Sequence, residues 1–122
     1  MKQEDFELIK KDFSARLPYD VKFITYKVEY GDSGVSVITD KIIGIVNDMI
    51  VTKNGSYEIS KCRAYLRKLS SMTEEENEEY TKLNLYGTHW DFVDWCNKKG
   101  LDYRGLIERH LALELTEENE LK

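Results

Sequence analysis

The sequence contains few of the residues on which enzymes and metalloproteins usually depend. Its 122 residues include two cysteines, two histidines and one proline. No Cys-x-x-Cys pair and no His-x-x-x-His spacing occurs, so the residue types that bind zinc are not arranged as a zinc site. The glycines form no phosphate-binding loop, because the segment GDSG at residues 31–34 is typical of a turn. We therefore expect no catalytic residue, no cofactor and no metal, and we predict that the protein is not an enzyme.

Long hydrophobic runs are absent as well. The longest apolar run covers residues 42–46 and is interrupted by Gly44, whereas a membrane-spanning helix needs about 20 residues. The N-terminus, MKQEDFELIKKDF, contains acidic side chains where a signal peptide has a basic and then an apolar region. Without a secretion signal, we expect Cys62 and Cys96 to be free, buried thiols rather than a disulfide. These features predict a cytoplasmic protein.

The charge is negative overall and unevenly distributed. The net charge of −5 divides into 12 basic and 10 acidic side chains in residues 1–70, and 6 basic and 13 acidic side chains in residues 71–122. A general nucleic-acid-binding domain is usually basic overall. The distribution instead favours a protein that docks onto a charged surface of another protein.

The first half of the chain has a helical pattern followed by strand-like patterns. A helix is predicted for about residues 4–16, and Pro18 ends it. Its one apolar stripe consists of Phe6, Leu8, Ile9, Phe13 and Leu17. Residues 21–60 are rich in β-branched and aromatic side chains. Turn sequences lie within them at residues 31–34, 47–48 and 53–55, the last of a kind that needs positive φ. Because such short turns join antiparallel strands, we predict a small curled antiparallel sheet or an SH3-like barrel.

The C-terminal half contains two recognisable helix starts. Thr73 is followed three residues later by Glu76, and Thr88 by Asp91, which is the spacing of a capping box. Gly100 has the position of a glycine that ends the second helix. The alternating leucines of residues 111–115 are compatible with a terminal strand that adds to the sheet.

These elements predict an α+β fold with an N-terminal helix, the sheet or barrel, and C-terminal helices. A chain of this length is expected to be a single domain, residues 1–122. We divide it into a helix (1–17), a β-rich part (20–61), a helical part (62–115) and a frayed tail (116–122).

The predicted partner-binding residues belong to the two C-terminal helices. Trp90 and Trp95 cannot both face the core together with Phe92 and Cys96, because these positions spread around the helix. At least one tryptophan should therefore be exposed, and tryptophan and tyrosine anchor many interfaces. The glutamates of residues 74–79 could imitate nucleic acid, although such runs are usually solvated helix faces. The partner-binding candidates are Tyr86, Trp90, Trp95, Glu75 and Glu79.

A basic cluster before these helices is the candidate for nucleic-acid binding. It consists of Lys61, Arg63, Tyr65, Arg67 and Lys68. Small β-barrels bind single strands through stacked aromatic rings and a basic groove. In the alternative interpretation, Arg63 and Arg67 lie on one helical turn and pair with neighbouring glutamates, while Tyr65 and Leu66 pack inward.

Two segments, AYLRKLSSMTEEENEEY and LDYRGLIERHLALELTEEN, resemble a family of small proteins encoded by phages and integrated elements of Bacteroidetes-type bacteria. With the LPYDVK entry to the first strand, the resemblance covers most of residues 16–118. Ala64 and Lys68 stand where proline is common in that family, and His110 where glycine is common. A glycine there suggests positive φ at His110. The resemblance implies an accessory protein of mobile elements, a group that includes inhibitors of bacterial defence such as anti-CRISPR proteins.

Our first functional hypothesis is a non-enzymatic interaction protein of a phage or mobile element. It would inhibit a host defence component, such as a CRISPR effector or its ribonucleoprotein, by covering the surface of that partner with residues 74–79 and 86–95. One alternative is a small module that binds RNA or single-stranded nucleic acid. Another is a structural or assembly protein without a ligand. No membrane contact is expected in any of them.

Overall fold

The computed structural model describes residues 2–19, 21–29 and 32–116 of the chain. The helices are α1 (Gln3–Ala15), α2 (Glu74–Tyr86) and α3 (His89–Lys98). The strands are β1 (Phe23–Glu29), β2 (Asp32–Ile38), β3 (Ile42–Val46), β4 (Met49–Thr52), β5 (Gly55–Glu58), β6 (Cys62–Leu66) and β7 (Ala112–Glu114). Short 3₁₀ helices at Ile59–Lys61 and Leu69–Ser71 lie on either side of β6.

The strands form two open sheets. The first sheet has the order β2-β1-β6-β7, with β1 antiparallel to both β2 and β6 and with β6 parallel to β7. The second sheet has the order β3-β4-β5 and is antiparallel throughout. The predicted α+β fold with an N-terminal helix, antiparallel pairing and C-terminal helices is confirmed. Within the described residues neither sheet closes, so the SH3-like barrel of the prediction is not formed.

The core lies between α1, the second sheet and one face of the first sheet. Phe23 of β1 is at its centre, and its ring meets the rings of Phe13 and Tyr57 edge-on at 5.7 and 5.8 Å. Ile9 of α1 and Ile50 of β4 belong to the same buried cluster. All these groups pack on one face of the first sheet, and the opposite face is only partly covered, since Ile24 on it is buried while Tyr26 is 40% exposed.

The predicted helical part, residues 62–115, begins with a strand. Along β6, Cys62, Ala64 and Leu66 are buried and the residues between them are half-buried. Arg63 and Tyr65 therefore lie on the opposite face of the sheet, and the interpretation that placed Arg63 and Arg67 on one helical turn is wrong.

The terminal strand adds to the sheet, as the alternating leucines indicated, but it is parallel to its neighbour. β7 pairs with β6 from Ala64 opposite Ala112 to Leu66 opposite Glu114. Short turns cannot connect parallel strands. Here α2 and α3 form the long crossover that brings the chain back to the same edge.

Most of the predicted turn geometry is confirmed. Asn47 and Asp48 both have positive φ, at 50° and 61°, in the tight turn between β3 and β4. Gly100 (φ 70°) follows α3, and His110 has a φ of 61°. The turn at residues 53–55 has no positive φ, so that detail of the prediction is wrong.

Two other predictions fall partly outside the described residues. Residues 32–34 of the predicted turn belong to β2, which begins at Asp32. Tyr30 and Gly31 lie outside the described residues, as do residues 117–122 of the predicted tail.

Candidate functional site

Helix α2 is attached to the first sheet by its first turn and otherwise packs only against α3 among the described elements that it contacts closely. No residue of α2, all of which the structure describes, is buried. Thr73 Oγ1 accepts a hydrogen bond from the Glu76 N–H (3.1 Å), and Glu76 Oε1 accepts one from the Thr73 N–H (3.0 Å), which completes the predicted capping box. The Arg67 guanidinium donates to both oxygens of the same carboxylate, at 2.7 and 2.9 Å. These hydrogen bonds lower the pKa of Glu76 to about 2.

Helices α2 and α3 pack against each other through aromatic rings. The Tyr80 ring meets the rings of Phe92 and Trp95 edge-on, at centroid distances of 5.0 and 6.3 Å. Trp95 Nε1 donates a hydrogen bond to Glu79 Oε2 at 2.8 Å. Two of the predicted partner contacts, Trp95 and Glu79, are therefore engaged within the pair of helices. We call residues 74–98 the helical hairpin.

Three large apolar side chains are exposed at the corner of the helical hairpin. Leu85 is 66% exposed, Tyr86 is 87% exposed and Trp90 is 79% exposed. The predicted capping box at Thr88 starts α3 directly after the corner. All three side chains therefore belong to residues within one helical turn of the corner. The expectation that one tryptophan is exposed is confirmed, and this tryptophan is Trp90. We call Leu85, Tyr86 and Trp90 the hairpin tip.

The helical hairpin is also strongly acidic. Residues 74–98 contain seven acidic and two basic side chains, and their net charge of −5 equals that of the whole chain. Glu75 is exposed on α2. The glutamates of the first turn also stabilise α2 itself, since negative charge is favourable at a helix N-terminus. The hairpin is thus an acidic arm with an apolar end.

The open face of the first sheet combines aromatic and basic side chains. Tyr26 is 40% exposed, and the Arg63 guanidinium lies 5.9 Å from the centroid of its ring. Lys22 Nζ lies 5.0 Å from the ring centroid of Tyr65. Cation–π contacts of this kind hold the basic groups beside the rings. We call these four side chains the outer sheet face.

The predicted nucleic-acid-binding residues all lie on or next to β6, but most of their charges are paired. Arg63 donates to the backbone carbonyl oxygens of Ser60 (2.9 Å) and Cys62 (2.7 Å). The other three cations pair with glutamates: Lys61 with Glu58 at 3.4 Å, Arg67 with Glu76 at 2.7 Å and Lys68 with Glu114 at 3.5 Å. Exposed pairs such as those of Lys61 and Lys68 are worth little, so a polyanion can compete for these lysines.

The two cysteines are free and buried, as predicted. Burial raises the pKa of Cys62 to about 11 and also raises the pKa of Cys96. Both thiols are therefore protonated at neutral pH and are poor nucleophiles.

The described residues contain neither a metal-binding cluster nor a membrane-spanning helix. No group of three or more His, Cys, Asp or Glu side chains in residues 2–19, 21–29 and 32–116 is arranged to hold a metal ion. None of the helices in the same residues is both long enough and apolar enough to cross a membrane.

Comparison with protein-family models, with curated proteins and with solved structures gave no match. The resemblance to the phage-encoded family therefore remains a hypothesis.

Sequence reasoning missed Leu85 of the hairpin tip and both Tyr26 and Lys22 of the outer sheet face. Leu85 is next to Tyr86 at the end of a helix with few apolar residues, so its exposure could have been inferred from the sequence. Tyr26 is close to Arg63 only because β1 pairs with β6, with Ile24 opposite Arg63. Sequence spacing gives no signal for such a contact.

Proposed function

We propose that the protein is a non-enzymatic interaction protein that binds a protein partner through the helical hairpin. The hairpin tip carries this proposal, because it exposes a leucine, a tyrosine and a tryptophan together at the end of an arm. Aromatic side chains are the commonest anchors of protein interfaces. Clustered exposed apolar groups are also rare on proteins that have no partner. Of the predicted contacts, Tyr86, Trp90 and Glu75 remain accessible.

The charge of the helical hairpin indicates what kind of partner it fits. An acidic arm with an apolar end complements an apolar pocket bordered by basic side chains, and the charges accelerate association. Basic surfaces of this kind are typical of proteins that bind nucleic acid. The resemblance described above implies that the partner is a host defence component such as a CRISPR effector. The arm would inhibit it by occupying the surface that binds nucleic acid.

A pull-down with matched variants tests this proposal. The tagged protein, its Tyr86→Ala/Trp90→Ala variant and an Ile43→Ala/Val46→Ala control are incubated with nuclease-treated bacterial lysate, and bound proteins are identified by mass spectrometry. Ile43 and Val46 are 68% and 58% exposed on β3, away from the hairpin. Because both pairs are exposed, each variant should keep its stability within about 0.5 kcal/mol per substitution.

We expect a nuclease-resistant partner that the wild type and the control bind and the hairpin-tip variant does not. Equal capture by the hairpin-tip variant would overturn the proposed binding surface. Capture of no partner by any of the three proteins would favour a structural or assembly role.

A second candidate function is the binding of RNA or single-stranded nucleic acid, which the outer sheet face favours. Tyr26 and Tyr65 lie on the same open face with Arg63 and Lys22 beside their rings. Rings on a sheet can stack on bases while neighbouring cations contact phosphates.

Oligonucleotide binding measured by fluorescence anisotropy tests this candidate. Binding should weaken steeply with rising salt concentration and should be lost in a Tyr26→Ala/Tyr65→Ala variant. Tyr86→Ala, which removes a tyrosine from the hairpin tip instead, should bind like the wild type. No binding at low salt would exclude this function.

A further inference from the structure

A cleft of about 380 Å³ lies at the C-terminal end of α3. Its walls are the end of α3, the end of β6 and the two ends of the α1–β1 connection. Trp90 and Lys98 are separated by about 12 Å along the axis of α3, so the cleft and the hairpin tip are different surfaces.

The side chains that line the cleft are unusually basic. Among the described residues the lining contains five basic side chains and no carboxylate: Arg16, Lys22, Arg67, Lys98 and Lys99. The charge of Arg67 is already paired with Glu76, which lies outside the lining, so Lys22, Lys98 and Lys99 supply most of the positive charge that an anion would meet. They come from four separate segments of the chain and meet only because the fold brings these segments together. Like charges gathered in a cleft repel one another and concentrate an anion from solution.

Arg16 forms the buried part of this lining. It is 1% exposed, its Nε donates to Asp12 Oδ2 at 3.0 Å, and its Nη2 donates to the Leu101 carbonyl oxygen at 2.7 Å. Asp12 also pairs with Arg104 at 3.2 Å, so one carboxylate serves two guanidinium groups. Arg16 Nη1 has no hydrogen-bond partner within the described part of the chain. Buried donors are nearly always satisfied, so this unsatisfied donor is unusual, and it belongs to a residue that lines the cleft.

We propose that the cleft binds the phosphate group of a small phosphorylated molecule. Guanidinium and ammonium groups are the side chains that proteins use most for phosphate. The volume is in the range of pockets that hold small ligands, and the Tyr65 ring in the wall provides contact area for an organic group attached to the phosphate. This inference goes beyond the proposed protein-binding function and does not depend on it.

Titration calorimetry with inorganic pyrophosphate at low ionic strength tests the proposal. Lys98→Glu/Lys99→Glu reverses two charges of the cleft, and Lys41→Glu/Lys53→Glu makes the same change in net charge at exposed positions outside it. Because Arg16 is buried, its variants would confound folding with binding, whereas Lys98 is exposed and Lys99 is half-buried, so their variants disturb the fold less.

We expect the wild type to bind pyrophosphate with a Kd below about 1 mM, the cleft variant to bind at least about tenfold more weakly, and the control to change by less than about threefold. No binding by the wild type would overturn the proposal. Equal weakening in both variants would also overturn it, because the effect would then depend only on net charge.

Two further titrations identify the source of the phosphate. A nucleoside diphosphate that binds more tightly than pyrophosphate would show that the ligand is a nucleotide, and equal affinities would show that the phosphate alone is recognised. The unphosphorylated nucleoside should not bind. If it binds as well as the diphosphate, the cleft does not recognise phosphate and the proposal is wrong.

Discussion

At the scale of single residues, the pair of Arg67 and Glu76 attaches the exposed helix α2 to the sheet. The pKa of Glu76 is lowered from its ordinary value of 4.5 to about 2, mainly by the hydrogen bonds from Arg67. Between these two values the unfolded chain binds more protons than the folded one, so stability falls as the pH is lowered through this window. The stabilisation is complete above about pH 4.5 and is lost near pH 2.

We predict that Glu76→Gln lowers the free energy of unfolding by about 2 kcal/mol at pH 7 and by much less at pH 2.5. Glutamine can still accept the hydrogen bond of the capping box, so the charge is what the variant removes. Urea denaturation at several pH values measures the difference between variant and wild type. Thr73→Ala is the control, since it should cost about 1 kcal/mol at every pH. A difference for Glu76→Gln that does not change with pH would contradict this account.

His110 is a second residue with a local effect that can be measured. Its φ of 61° is unfavourable for a residue with a Cβ atom, and its N–H donates to the Ile107 carbonyl oxygen at 3.1 Å in a tight turn. We predict that His110→Gly raises the free energy of unfolding by about 0.5 kcal/mol, because relief of strain exceeds the added entropy of the unfolded chain. His110→Ala retains the Cβ atom and should bring no gain. A glycine variant less stable than the alanine variant would contradict the prediction.

At the scale of elements, the corner of the helical hairpin depends on Gly87. A Cβ atom at this position would lie 2.8 Å from the carbonyl oxygen of Leu83 and 3.2 Å from its Cα, so the backbone would have to move. We predict that Gly87→Ala lowers the free energy of unfolding by about 1–2 kcal/mol and weakens partner binding by displacing the hairpin tip. Gly34→Ala is the control, since nothing lies within 4 Å of its added Cβ. Chemical denaturation of both variants checks the prediction, and equal stabilities would refute it.

The sequence allowed some elements to be predicted and not others. Each of the two capping boxes depends on residues three positions apart, so both helix starts were identified correctly. β6 was missed because the spacing of Arg63 and Arg67 also fits a helical turn. The alternation of Cys62, Ala64 and Leu66 indicates a strand only once their burial is known.

At the scale of the whole molecule, a surface can be predicted from the sequence when its residues are close together in the chain, and not when they are far apart. The hairpin tip lies within six consecutive residues, 85–90, and two of its three members were predicted. The cleft brings Arg16 together with Lys98 and Lys99, and the outer sheet face brings Tyr26 together with Arg63. Those contacts follow from the pairing of β1 with β6 and from the long crossover to β7, which local patterns do not specify.

We propose that the helical hairpin is the surface that binds the partner. Site-specific photo-crosslinking tests it most directly, with p-benzoylphenylalanine placed at Trp90 in one variant and at Ile43, on the second sheet, in another. Both positions are exposed, so the photoreactive group should leave the fold intact in either variant. We predict that the variant modified at position 90 crosslinks to a protein in nuclease-treated lysate and that the variant modified at position 43 does not. Crosslinking of that protein from position 43 and not from position 90 would contradict the claim.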